Sequence, residues 1–174
     1  MTADAAEGLT ALEDGRRAFE CAAWGDAYHR LSAADQETPL APADLERLAT
    51  AAYLIGRDAE SSELWGRAHQ ELVGTGEPER AARCAFWLAL LLLLSGEVAR
   101  SSGWLGRARR LLAASAGDCV EVGYLASLDA LLSLPNEGDV AASAAKFSRV
   151  RSRRVPGSAT ATWKPLAGWV MARV

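Results

Sequence analysis

Two matching stretches decide the fold of this chain: residues 56–68, GRDAESSELWGRA, and residues 96–108, GEVARSSGWLGRA. Each begins with a glycine, followed by a serine five residues later, a large apolar residue four after the serine and an alanine three further on. The pattern recurs with similar residues, giving four instances: Ala22, Ala27, Leu31 and Ala34; Gly56, Ser61, Trp65 and Ala68; Gly96, Ser101, Leu105 and Ala108; Gly138, Ser143, Phe147 and Val150. A glycine ends one helix, and a small residue early in the next lets two backbones approach closely. The pattern therefore predicts helical hairpins.

The hairpins repeat along the chain at spacings of 34, 40 and 42 residues. From the apolar stripes we predict helix pairs at 9–23 and 26–36, 43–55 and 58–72, 78–95 and 98–114, and 119–134 and 138–150, with a last helix at 164–173. A spacing of 34 residues is the tetratricopeptide period. We therefore predict an all-α fold, an α-α superhelix made of a right-handed stack of about four tetratricopeptide-like hairpins plus a partial C-terminal helix. Residues 1–150 would form this domain, and residues 151–174 a basic, flexible tail.

The charge of the chain is divided unevenly between its two halves. Residues 1–80 contain 16 acids and 7 bases, whereas residues 81–174 contain 6 acids and 12 bases. Net charges of −9 and +6 can attract each other within one molecule or head-to-tail between molecules. Homo-oligomers are therefore one expectation, and a chance distribution of solvated charge is the alternative.

The longest apolar run, residues 84–94, is too short for the roughly 20 residues that a membrane-spanning helix needs. The acidic N-terminus lacks the layout of a signal peptide. Three widely separated cysteines, Cys21, Cys84 and Cys119, indicate reduced thiols and not a disulfide framework. We expect a cytoplasmic protein that does not enter a membrane.

The sequence offers little for catalysis or metal binding. Neither of its two histidines, His29 and His69, has a cysteine at the spacing that metal ligands need. We expect both histidines at the surface of second helices. The sequence also lacks a phosphate-binding glycine loop and a Gly-x-Ser-x-Gly elbow. We therefore predict no catalytic residue, no metal site and no cofactor, and hence no enzyme.

Several stretches resemble one group of regulatory proteins. They are residues 21–35, CAAWGDAYHRLSAAD; residues 44–69, DLERLATAAYLIGRDAESSELWGRAH; residues 80–93, RAARCAFWLALLLL; and residues 103–112, GWLGRARRLL. Over about residues 9–147 the chain resembles the N-terminal tetratricopeptide-like region of actinobacterial LuxR-type helix-turn-helix transcriptional regulators. The resemblance implies a regulatory, partner-sensing role. The family's DNA-binding domain has no counterpart in this sequence, so we expect no DNA binding by this chain alone.

The first helix of each hairpin normally lines the binding face of a repeat stack. This geometry predicts a groove that binds a protein or peptide partner. Its candidate residues combine apolar positions with a few charged anchors: Arg16, Phe19, Glu46, Thr50, Tyr53, Arg83, Phe86 and Leu90. The alternative is a groove closed by the N-terminal segment or by the tail.

Two other functions compete with peptide binding. A small apolar effector could sit between the leucine-rich third hairpin and its neighbours, which would make the chain a sensor domain. The tail also carries Arg149, Arg151, Arg153 and Arg154, which could contact the phosphates of a nucleic acid. A solvated basic tail is the plainer interpretation of those arginines.

Overall fold

The computed structural model describes residues 3–114 and 120–132, and every regular element in these ranges is an α-helix. The seven helices are α1 (Ala3–Glu20), α2 (Trp24–Glu37), α3 (Pro42–Leu54), α4 (Asp58–Gly74), α5 (Pro78–Leu94), α6 (Val98–Ala114) and α7 (Val120–Leu132). Prolines open α3 and α5, where the missing N–H of the first helical turn would have no intrahelical partner in any case. The all-α prediction is confirmed, and the predicted bounds of α2 to α6 lie within two residues of the observed ones.

The tight turns inside the hairpins follow one geometry. Gly56 and Gly96 adopt positive φ angles of 87° and 80°, as the sequence pattern predicts. In both turns the residue after the glycine donates a backbone hydrogen bond five residues back, from Arg57 to Ala52 (2.8 Å) and from Glu97 to Leu92 (2.8 Å). This is the Schellman arrangement that satisfies the last carbonyls of a helix. In the first hairpin the equivalent residue is Ala22, with a φ of 57°.

Buried serines join the two helices of the second and third hairpins. The Ser61 hydroxyl donates to the carbonyl oxygen of Ala49 (2.7 Å), and the Ser101 hydroxyl donates to that of Ala89 (2.8 Å). Both serines are fully buried. In the first hairpin Ala27 takes the serine's place, and a Cβ on the opposite residue, Gly15, would lie only 2.8 Å from Leu31 Cγ. Small residues thus set the close helix approach that the pattern predicts.

Neighbouring hairpins share one apolar core. Helix α2 packs on α3, α4 packs on α5, and α1 also contacts α3. The buried cluster runs from Leu31 in α2 to Leu92 in α5 and includes Trp65, which is 5 % exposed. Trp65, the large residue of the pattern in the second hairpin, therefore lies in the core.

The chain divides into two compact units, Met1–Leu125 and Ala126–Val174. The first contains α1 to α6 and the start of α7. Of the second, the structure describes only residues 126–132, which continue α7. The predicted helices at 138–150 and 164–173, the domain boundary at residue 150 and the basic tail lie outside the described residues. The right-handed superhelical stacking stays a prediction.

Among the described helices, none has both the length and the apolar character that crossing a membrane requires.

Candidate functional site

The charged residues of the predicted groove all bind other parts of the chain. Arg16 on α1 holds Asp44 on α3 through two hydrogen bonds, from Nε to Oδ1 (2.9 Å) and from Nη2 to Oδ2 (2.6 Å). Asp44 is 1 % exposed and also accepts a hydrogen bond from Arg47 (2.9 Å). Arg16 therefore clamps two first helices together, a role that the sequence analysis did not assign to it.

Asp44 stays ionised because of these arginines. Burial alone would raise its pKa, but the hydrogen bonds and positive charges of Arg16 and Arg47 outweigh burial and lower that pKa. A buried carboxylate that lost Arg16 would keep only Arg47 as its counter-charge. The clamp is therefore a structural part of the predicted binding face.

A second ion-pair group joins α3 to α5. Glu46 accepts hydrogen bonds from Arg80 (3.1 Å) and from Arg83 (3.0 Å), and Arg80 also binds Glu77 (2.7 Å). The structure thus brings Glu46 and Arg83 together as the sequence analysis grouped them. Because the charges of Glu46 and Arg83 neutralise each other, a charged partner group would have to compete with this ion pair in order to bind either residue.

Three other predicted groove residues are buried. Thr50 is 5 % exposed, and its hydroxyl donates to the Glu46 carbonyl oxygen (2.8 Å). Phe86 is 8 % exposed and stacks on Tyr124 with ring centroids 5.2 Å apart. Leu90 is 7 % exposed. These side chains form the floor beneath the face, with little surface left for a partner.

Phe19 and Tyr53 are partly buried and occupy equivalent positions in their hairpins. The backbone N–H of Ala22 donates to the carbonyl oxygen of Phe19, and the backbone N–H of Gly56 donates to that of Tyr53 (3.0 Å in both). Ala22 and Gly56 are the turn residues with positive φ. Leu93 plays the same part in the third hairpin, for Gly96, and is also partly buried. We call Phe19, Tyr53 and Leu93 the first-helix row. One apolar side chain per hairpin therefore reaches the surface near the end of each first helix.

Exposed Leu94 follows directly after the row in α5, with 45 % of its surface accessible. At the equivalent place α3 has Leu54, which is partly buried, and α1 has the exposed Glu20. The apolar surface thus widens from the first hairpin to the third.

The second helices have polar contacts of their own. Arg67 on α4 binds Asp35 on α2 through two hydrogen bonds (2.6 and 3.0 Å). These bonds and a backbone hydrogen bond from Leu40 lower the pKa of Asp35 and outweigh burial, which alone would raise it. The Tyr28 hydroxyl donates to Glu60, and Arg57 lies over the Tyr28 ring at 4.7 Å. These contacts connect α2 with α4 and its preceding turn.

The expectation that His69 lies at the surface is wrong. It is 7 % exposed, its Nδ1 lies 2.9 Å from the carbonyl oxygen of Ala81, and its ring meets Trp104 edge-on with centroids 5.1 Å apart. The α4 position that carries it faces the next hairpin, so the ring fills the gap between hairpins. His29 is exposed, as predicted.

Within residues 3–114 and 120–132, no three His, Cys, Asp or Glu side chains form a group that could hold a metal ion. Arg149, Arg151, Arg153 and Arg154, the candidate nucleic-acid contacts, lie outside the described residues. Comparison of the chain with protein-family models, with curated proteins and with solved structures finds no match.

Proposed function

We propose that this chain is a non-enzymatic helical-repeat module that binds a protein or peptide segment across the ends of its first helices. The observation that carries the proposal is the first-helix row, Phe19, Tyr53 and Leu93, with Leu94 exposed beside it. Apolar side chains at one repeated position can receive the regularly spaced apolar side chains of a partner helix or extended peptide.

The framework beneath the row supports this function because it is held in place. Asp44 with Arg16 fixes α3 against α1, and Glu46 with Arg80 and Arg83 fixes α5 against α3. A binding surface whose supporting helices are already positioned loses less conformational freedom on binding. These ion pairs are therefore supports for the row, and the apolar residues make the contact.

A displayed peptide library, screened against the full chain, tests the proposal. We expect enrichment of peptides with a shared pattern of apolar side chains. Tyr53→Ala should weaken the binding of an enriched peptide at least about tenfold, which corresponds to about 1.4 kcal/mol, because a central aromatic contact is lost.

The matched control is Tyr28→Ala, which removes a partly buried tyrosine from a second helix. Circular dichroism melting should show both variants folded before binding is compared. Equal losses in the two variants would contradict the assignment of the row, and a library without any enriched pattern would contradict peptide binding itself.

The regulatory role follows from the resemblance to the sensing region of LuxR-type regulators, and we place the module in the cytoplasm. Cys84 is buried, and burial raises the pKa of its thiol, which keeps the thiol protonated and unreactive. Cys21 and Cys84 are both free, the state that a reducing compartment maintains. A reporter under the control of a partner regulator would show whether the Tyr53→Ala variant changes transcription.

A further inference from the structure

The salt bridges of the described residues are distributed unevenly along the chain. Each of the nine arginines from Arg16 to Arg100 forms a salt bridge with a carboxylate. In α6, by contrast, Arg107 and Arg110 are exposed and form none with any described residue. Arg107 instead lies over the Trp104 ring at 4.6 Å. The exposed arginines without a carboxylate partner among the described residues therefore lie on α6.

The α6 arginines share one side of the helix. Arg100, Arg107 and Arg110 are spaced by seven and three residues, which places them on one stripe about 15 Å long. Within this stripe Arg100 is paired with Glu97 (2.6 Å). Gly103 lies on the same stripe, and no atom lies within 4 Å of where a Cβ would be. Residues 98–117 contain four arginines and no acid. The stripe is thus an open basic surface.

Exposed acids without a salt bridge lie in the other half of the chain. Among the described exposed side chains, the acids that form no salt bridge are Glu13, Glu20, Asp26, Glu37, Glu63 and Glu71. Glu13 and Glu20 lie seven residues, or two turns, apart on the exposed side of α1. Arg17, which lies between them, forms a salt bridge with Asp14 (3.5 Å). The exposed acids of α1 therefore oppose the exposed arginines of α6 in sign.

Residues 133–174 contain seven bases and two acids, so this part of the sequence is itself net positive. We propose that the α6 stripe docks against the acidic side of α1 in a second copy of this chain. The contact is head-to-tail, so each molecule offers one face of each kind and association continues beyond two copies unless it closes into a ring. Surface charges act through solvent, so this association is weak and salt-dependent.

Analytical ultracentrifugation of the full chain tests the proposal at about 20 mM and about 500 mM salt, where the screening length falls from about 20 Å to about 4 Å. We expect concentration-dependent association at low salt that high salt abolishes. Arg107→Glu with Arg110→Glu, or Glu13→Arg with Glu20→Arg, should each weaken it at least tenfold. An equimolar mixture of the two double variants should associate again, because the α1 side made basic in one variant can meet the α6 stripe made acidic in the other.

The matched control is Glu63→Arg with Glu71→Arg, which makes the same change of net charge on α4. We expect the association constant of this control to lie within threefold of that of the unmodified chain. A monomer at every concentration at low salt would overturn the proposal. A mixture of the two double variants that stays monomeric would also overturn it, as would a control that associates as weakly as the α1 variant. The same holds if an oligoglutamate peptide or a DNA duplex binds α6 while the chain itself stays monomeric.

Discussion

Replacing Arg16 by methionine should show that the charged part of the predicted groove is structural. The substitution keeps the aliphatic stem and removes two hydrogen bonds, of 2.9 and 2.6 Å, to a carboxylate that is 1 % exposed. Removing one partner of a fully buried pair costs about 3–5 kcal/mol, and exposed pairs contribute about 0.2–1 kcal/mol.

The Arg16 pair lies between these limits. The Arg16 side chain is 44 % exposed, so solvent screens part of the interaction. Arg47 also remains 2.9 Å from Asp44 and compensates part of the buried charge. We therefore expect the free energy of unfolding to fall by about 2 kcal/mol, which is between the exposed and the buried case.

Urea denaturation at pH 7, followed by circular dichroism, measures this difference. Arg17→Met on the same helix is the control, because that side chain is 74 % exposed and its ion pair with Asp14 is long at 3.5 Å. The control should lose less than about 0.5 kcal/mol. If the two variants differ by less than about 0.5 kcal/mol, near the usual error of such comparisons, the clamp does not hold α1 to α3.

Three further predictions concern the turns, the serine contacts and acid stability. Ala22→Gly should raise the free energy of unfolding by about 0.5–1 kcal/mol and Gly56→Ala should lower it by about 1 kcal/mol, because both positions have positive φ; urea denaturation of the two variants should show opposite shifts. Ser61→Ala should cost about 1 kcal/mol in the same assay, whereas Ser62→Ala, whose hydroxyl bond is exposed, should change less than about half of that; equal costs would contradict the role of the buried contact. Because the folded pKa of Asp44 is lowered, its contribution to stability is present above the ordinary carboxyl value of 3.8 and is lost as the pH falls through the lowered value; a pH titration of the unfolding free energy should show this loss, and Asp44→Asn should flatten the curve below about pH 4.

The hairpin architecture was predictable because it depends on local rules. The glycines at 56 and 96 had to be in turns, and Ser61 and Ser101 had to be small enough for a close helix crossing; each rule acts within one hairpin. Periodicity fixes such features without knowledge of which hairpins meet.

Contacts between hairpins were not predictable in the same way. Arg16 and Asp44 are 28 residues apart, and nothing in their spacing marks them as a pair. His69 was expected at the surface because it lies on the second helix of a hairpin, but its position on α4 faces α6 and places its ring against Trp104. Finding such pairs requires the register between hairpins, which the sequence pattern does not specify.

Photo-crosslinking tests the central claim, that a partner binds at the first-helix row, most directly. Benzoylphenylalanine would replace Tyr53 in one sample and Tyr28 in another, each incubated with a peptide enriched from the displayed library. We expect crosslinks to the peptide from position 53 and few from position 28, identified by mass spectrometry. Crosslinks from position 28 without any from position 53 would contradict it.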